Sequence, residues 1–291
     1  MPSFVALDVE TANHDISSIC QIGLVEFEKG MVGSRWQTLA NPGCFFDPVN
    51  VSIHKIEPDH VSGAPVLRDV MDDLSARIRG KVVVAHSGFD RMAITRACGN
   101  LGLEAPNCRW IDTATVARRT WEDVSKKGYG LASLAARLGI EFRHHDAGED
   151  AFVAGHVLVQ AIQDSGKDLD WWLKALNSRR KPRSTASLPD LVVNENGPLY
   201  GEVVAFTGAL SSPRAVAEAK AMSVGCVVSS GVNKTVTILV VGDQDITKMA
   251  PGQTRSTKHR KAEDMIAKGF EIRIIGESDF DSMVESTDAE E

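Results

Sequence analysis

No stretch of about 18 consecutive apolar residues occurs in this chain, which excludes a membrane-spanning helix by hydropathy. The opening Met1-Pro2-Ser3-Phe4-Val5-Ala6-Leu7-Asp8 lacks the basic and long apolar regions of a secretory leader. Cysteine is sparse. Its five copies, odd in number and without a CxxC pair, argue against a disulfide framework or a zinc site and predict reduced, buried thiols. Positive charge is in deficit as well. A formal net charge of −7 speaks against coating nucleic acid by bulk attraction, although a centre that holds divalent cations must itself be acidic. Together these absences predict a soluble, cytoplasmic protein with no membrane partner. What is present is ordinary globular composition, 43% hydrophobic and 24% charged over 291 residues, comfortable for two domains.

Short apolar and β-branched runs predict strands over 3–9, 20–28 and 31–39, then at Val82–Ala85 and Trp110-Ile111. Helical spacing predicts helices over 66–78, through Met92, Ile94 and Ala97, and over 113–120, 131–138 and 147–162. A meander followed by strand–helix alternation predicts a mixed α/β sheet flanked by helices, over residues 1–165. Residues 166–197 read as a linker. Within it Trp171-Trp172-Leu173 close a last amphipathic turn, and Arg179, Arg180, Lys181 and Arg183 stand among Ser, Thr and Pro as a solvated basic cluster. Residues 198–285 follow a βαββαβα order that predicts a small α/β domain with a parallel sheet, and 286–291 are an acidic tail.

Asp8 and Glu10 sit two apart on a strand, so their side chains share one face. Two carboxylates ending an apolar strand repel one another unless a cation lies between them, and hard oxygen donors suit Mg²⁺ or Mn²⁺. Asp90 follows the Val82–Ala85 strand and reads equally well as a helix cap. In His144-His145-Asp146-Ala147-Gly148-Glu149-Asp150, the Asp146–Glu149 spacing predicts a capping box that starts a helix at Ala147. Asp150 then lies in the first turn, and His145 must approach from the loop to face the same site. His144 is its rival as a base. His86 reads as a packed strand-end residue, and His14, His60 and His156 as structural or surface residues.

Asp8-Val9-Glu10-Thr11, Phe89-Asp90, and His145 with Asp150 resemble the three motifs of the DEDDh 3′→5′ exonucleases. That superfamily includes the polymerase III epsilon subunit, ribonuclease T and oligoribonuclease. Ile19-Cys20-Gln21-Ile22-Gly23, His54-Lys55-Ile56 and Ile111-Asp112-Thr113 are further similar segments, and the likeness runs from about Ser3 to Ile162. The resemblance implies a ribonuclease H-like fold with a mixed five-stranded sheet and two Mg²⁺ or Mn²⁺ ions. It makes Asp8 common to both ions, with Glu10 and Asp150 completing one site and Asp90 supporting the second. It also implies His145 as general base, Thr11 and Phe89 as substrate contacts, and single-stranded or frayed 3′ ends as substrate. Ser87 departs from the Asn usual after the second-motif histidine, which bears on 3′-end handling.

Farther on, Phe206-Thr207-Gly208, Gly225, Lys234-Thr235 before Leu239-Val240-Val241-Gly242, and the Lys258–Ala262 segment resemble a BRCT domain. Phe280 stands where many such domains have tryptophan. This second resemblance implies a four-stranded parallel sheet, with Thr207, Gly208, Arg214 and Lys258 as phosphate contacts. Its partners would be 5′-phosphorylated DNA ends or a phosphoprotein. The whole reading is a DNA exonuclease of replication or repair, with a polymerase or repair partner. Two alternatives stay open: an RNA-trimming enzyme of the ribonuclease T or oligoribonuclease type, and an inert scaffold that acts through its BRCT-like module.

Overall fold

The computed structural model describes residues 2–121, 129–177, 193–194, 197, 199–242 and 256–285. The basic cluster at 179–183 and the acidic tail lie outside them. The chain divides into two compact units, Met1–Arg179 and Arg180–Glu291.

The first unit is a five-stranded mixed sheet in the order β3-β2-β1-β4-β5. Its strands are β1 (Phe4–Thr11), β2 (Ile19–Glu28), β3 (Met31–Leu39), β4 (Val82–Ala85) and β5 (Arg109–Asp112). The first three form an antiparallel meander, whereas β1, β4 and β5 run parallel. Phe4 to Leu7 and Val82 to Ala85 are buried throughout. This is the continuous apolar signature of central strands covered on both faces.

Its helices are α1 (Pro48–His54), α2 (Pro58–Val61), α3 (Leu67–Ile78), α4 (Phe89–Leu101), α5 (Thr113–Thr120), α6 (Leu131–Leu138), α7 (Ala147–Ser165) and α8 (Leu169–Asn177). Helix α7 lies directly on the meander, and two glycines make room for it. A Cβ at Gly155 would stand 2.1 Å from Cε2 of Phe27, and one at Gly23 would stand 2.2 Å from the carbonyl carbon of Ala147. Phe27 is in turn stacked on Phe4, with centroids 4.8 Å apart, so its ring has little freedom to yield. The core beneath α7 gathers Phe4, Val25, Phe27, Val84, Ile111, Leu134, Val157, Leu158 and Trp172.

Three helices of this unit are absent from the sequence reading: Pro48–His54, Pro58–Val61 and, apart from the amphipathic turn at Trp171-Trp172-Leu173, Leu169–Asn177. Pro48–His54 (α1) has the signals of a helix start, a capping Asp47 that accepts from Val49 N and a proline in the first turn. At seven residues it is too short to establish a period. Leu169–Asn177 (α8) occupies the front of the stretch drawn as a linker. Its adjacent tryptophans part company, Trp171 being 42% exposed and Trp172 1%, and the latter joins the core of the first unit. Among the thiols, Cys20, Cys98 and Cys226 are buried as expected, but Cys44 is exposed. Its sulfur accepts from Asn13 Nδ2 on a surface loop at 3.4 Å, so it contributes nothing to the core.

The second unit is a parallel sheet in the order β7-β6-β8-β9. Its strands are β6 (Val203–Thr207), β7 (Val227–Ser229), β8 (Ile238–Val241) and β9 (Arg273–Gly276). Helices Arg214–Ser223, Thr257–Ile266 and Glu277–Glu285 accompany it. Phe280 is 1% exposed and meets Phe206 edge-on at 5.5 Å. Among the described residues no helix is long and apolar enough to cross a membrane.

Candidate active site

The site forms where the parallel strands β1 and β4 end, the usual location for a site in an α/β sheet. Asp8 and Glu10 project from one face of β1, opposite Gly23 and Gln21 of β2. Immediately after Glu10 the register slips, with Thr11 pairing to Ile19, so Cys20 is the extra residue of a bulge. Such bulges bend a strand and end its pairing, here directly beside the two carboxylates.

The N-terminus of α7 brings in the third carboxylate. Asp146 caps the helix, accepting from Glu149 N at 3.3 Å, as the predicted capping box requires. The reciprocal half of the box is absent. The Glu149 carboxylate accepts instead from Arg35 at 3.3 Å, and it is Asp150 that reaches back, Oδ2 accepting from His145 N at 3.2 Å. That bond holds His145 in a left-handed conformation, φ 65°, rare for a residue with a side chain.

One ligating oxygen from each of Asp8, Glu10 and Asp150 lies within 4.8 Å of the others. Asp90 is outside that trio. It is 2% exposed in the first turn of helix α4 (Phe89–Leu101), and its Oδ1 accepts from Val9 N at 3.0 Å. Asp90 therefore ties α4 to the strand between Asp8 and Glu10, and its charge still bears on both. Burial, then the charges of Asp90, Asp150, Glu10 and Asp146, raise the Asp8 carboxyl well above its ordinary range. Burial, followed by Asp150, Asp90 and Asp146, does the same for Glu10. Like-charged oxygens pressed this closely together, with no nitrogen or sulfur in the trio, fit a hard divalent cation such as Mg²⁺ or Mn²⁺.

Both neighbouring histidines reach this trio. His145 Nδ1 is 4.0 Å from Glu10 Oε1, and His144 Nε2 is 3.8 Å from Asp150 Oδ2. Their rings stack with centroids 3.9 Å apart. Burial, reinforced by His144, His54 and Lys55, holds the His145 imidazole down to about 3. It is thus neutral at physiological pH.

His54, quoted above only within a similar segment, has a defined place. Its Nδ1 accepts from Ile56 N at 2.9 Å, so Nε2 carries the proton and donates to the Thr11 carbonyl at 3.1 Å. Burial keeps this ring neutral too, down to about 4. Asn50 Nδ2 donates to the same carbonyl at 2.9 Å, so α1 clamps the end of β1. Thr11 is buried, with its hydroxyl accepting from Asn50 at 3.3 Å, whereas Phe89 is half-buried at the start of α4. Ser87 lies in left-handed backbone, φ 93°, held by donation of its amide to Asp112 Oδ1 at 3.1 Å. This conformation suits glycine or asparagine better than serine. His86 is a packed residue as read, bonded to Thr113 Oγ1 and to the Tyr129 carbonyl, both at 2.9 Å.

In the second unit, the end of β6 gathers the four residues singled out there. Thr207 is buried, its hydroxyl 2.7 Å from Ser256 Oγ, and Gly208 follows with φ 80°. Arg214 donates to the Gly208 carbonyl at 3.3 Å and Lys258 Nζ to the Phe206 carbonyl at 2.9 Å. Burial, then the charge of Arg214, lowers the Lys258 ammonium from its ordinary value.

The first unit has an exonuclease fold. It aligns with exonuclease X in complex with 5′-overhanging duplex DNA at a TM-score of 0.50 and 21% identity, over 58% of this chain and 97% of that one. With E. coli exonuclease I bound to a dT13 oligonucleotide, the TM-score is 0.53 at 14% identity, over 61% and 44%. In sequence the chain is similar to DNA polymerase III PolC-type proteins. Identity is 27% over 169 residues with that of Thermotoga petrophila, which is 55% of this chain and 12% of the relative. With that of Lactococcus lactis it is 25% over 260 residues, or 80% and 16%. The chain thus spans 11–16% of the length of these curated relatives. No family profile matches it.

Proposed function

We propose that this chain is a divalent-metal-dependent 3′→5′ exonuclease that shortens DNA from its 3′ end and releases nucleoside 5′-monophosphates. The observation that carries the reading is the convergence of Asp8, Glu10 and Asp150 oxygens within 4.8 Å, beside a neutral imidazole. In this reading Asp8, Glu10 and Asp150 would hold the cations, with Asp90 supporting them. When bound, the cations would neutralise charge developing on the phosphate and on the attacking and leaving oxygens. His145 takes a proton from the attacking water, whose oxygen bonds to phosphorus as the P–O3′ bond breaks, and the departing oxygen takes a proton from solvent, leaving a 3′-hydroxyl on the shortened strand. Thr11 and Phe89, at the end of β1 and the start of α4, are the proposed contacts to the terminal nucleotide.

DNA is favoured over RNA as substrate because the similar sequences are DNA polymerases and the two fold neighbours were solved with DNA. An inert scaffold is disfavoured, since mutually repelling buried acids are costly to keep without a cation. The test is incubation of the full chain with 3′-labelled single-stranded DNA and RNA in Mg²⁺, Mn²⁺ or EDTA. Labelled mononucleotide is expected from DNA with metal and none with EDTA. Intact oligonucleotide under every condition would overturn the proposal. His145→Gln is expected to lower kcat by about 10²–10⁴-fold, the range for loss of a general base. Its metal-induced rise in melting temperature should match that of the unsubstituted chain.

The second unit is proposed as a BRCT-like module that holds a phosphate at the end of β6. Two cations drawn together there, Arg214 and Lys258, with a buried hydroxyl and a left-handed glycine, are the arrangement an anion would relieve. Lys258→Ala is expected to weaken binding of a 5′-phosphorylated duplex at least tenfold, a roughly 1.4 kcal/mol effect, as measured by fluorescence anisotropy. Equal affinity for phosphorylated and unphosphorylated duplex in the unsubstituted chain would dismiss the assignment. A polymerase or repair complex is the proposed setting for both units.

A further inference from the structure

Gln21 neither ligates nor titrates, yet its place is unusual. It stands across the β1–β2 ladder from Glu10, on the same face of the sheet, and is 8% exposed. Its Oε1 accepts from the amide of Ala147 at 3.0 Å, a contact between residues 126 positions apart. Ala147 opens α7, where an amide has no partner within the helix. The bond is therefore the anchor by which the sheet takes hold of that helix end.

Its neighbours on the same face serve the same end of α7. Gly23, opposite Asp8, leaves the space that the Ala147 backbone fills. Gln37, paired to Gly23 on the next strand, donates Nε2 to Asp146 Oδ2 at 3.4 Å. Across two strands, Gln21, Gly23 and Gln37 meet residues 146–147, and three residues farther along the helix comes Asp150. Asp150 in turn fixes the backbone of His145. A shift at Ala147 would move a cation ligand and the base together, away from Asp8 and Glu10.

We infer that Gln21 is a positioning residue, which acts through the Ala147 amide to set how tightly the site takes divalent cations. The inference rests on the exonuclease reading for its kinetic consequences but not for its cation-binding ones. Methionine is the informative replacement. It keeps the length and volume of glutamine while removing the acceptor, so a buried amide is left to find a partner by displacement of the helix.

The experiment uses the full chain with Gln21→Met and, as a milder change, Gln21→Asn, which withdraws the amide by one methylene. Titration calorimetry with Mn²⁺ and the rise in melting temperature with Mg²⁺ report on the site without any turnover. Both variants are expected to bind Mn²⁺ about tenfold or more weakly, the usual effect of losing a group that orients a ligand. In the exonuclease assay the half-activating Mg²⁺ concentration should rise in parallel, with KM for the oligonucleotide unchanged. A lower melting temperature of the metal-free protein with unaltered Mn²⁺ affinity would overturn the inference, because Gln21 would then be a helix cap and nothing more. Should Gln21→Met fail to fold, Gln21→Asn gives the same readout. A chain that binds Mn²⁺ as described but hydrolyses no DNA would instead count against the exonuclease proposal alone.

Discussion

Replacing Asp8 by asparagine is expected to reduce hydrolysis on the order of 10³-fold while making the metal-free protein more resistant to heat at neutral pH. The rate loss follows because cation stabilisation of a phosphoryl transition state is worth several kcal/mol, and about 1.4 kcal/mol is a factor of ten. The gain in stability follows from the raised carboxyls of Asp8 and Glu10. For an acid whose folded value lies above its unfolded value, the stabilising contribution is complete below the unfolded value, about 4. It is lost as pH rises through the raised folded value. In the absence of a cation these two groups therefore weaken the fold progressively above about pH 4. Asparagine at position 8 removes one of the repelling charges. The check is a pair of melting curves, in EDTA and in Mg²⁺, at pH 5 and pH 8. The unsubstituted chain should gain most from Mg²⁺ at pH 8, and Asp8→Asn should gain little at either pH. A variant that melts lower in EDTA at pH 8 would mean that the carboxylates are not in mutual repulsion.

The second large effect is expected from Gly23→Val. A Cβ there would lie 2.2 Å from the Ala147 carbonyl carbon and 2.3 Å from both the Ala147 oxygen and the Gly148 nitrogen. All three are backbone atoms at the start of a 19-residue helix, so none can swing aside as the end of a side chain would. Overpacking a core site costs about 1–3 kcal/mol, and a collision with backbone belongs at the upper end. Gly23 faces Asp8 across the ladder, so relief by lifting α7 separates Asp150 from its fellow ligand. Denaturant unfolding should show the loss of stability, and the folded fraction should need more Mn²⁺ for half-maximal activity. Activity per folded molecule equal to that of the unsubstituted chain would show that α7 can rise from the sheet without carrying the ligand away.

Much of this site is readable from local sequence. The period of two puts Asp8 and Glu10 on one face, and a cap residue followed by an apolar helical run puts His145 in the loop and Asp150 in the first turn. A mixed sheet and then a small parallel sheet follow from the order of apolar runs, and their five and four strands from the two resemblances. What escapes local reading depends on partners distant in the chain. The bond from Val9 N to Asp90 joins residues 81 apart, so Asp90 could be read alone only as a cap or a ligand. Glu149 left its expected capping partner because Arg35 of β3 stands beside it, and no spacing rule reaches from 149 to 35. His54 and Gln21 sat in segments already quoted for their likeness to other sequences, but their tasks depend on strand register. Helices α1 and α8, at seven and nine residues, are too brief for periodicity to outweigh their flanking sequence.

The dispersal of the ligand set along the chain bears on synthesis at the ribosome. Asp8 and Glu10 emerge first and Asp90 well after them, while Asp150 arrives only with the helix that seals the sheet. A nascent fragment ending before Ala147 holds its acids without the ligand that closes the trio, and without the neighbouring imidazole fixed in place. The proposed cation site is thus completed in one late step, when α7 settles on Gly23.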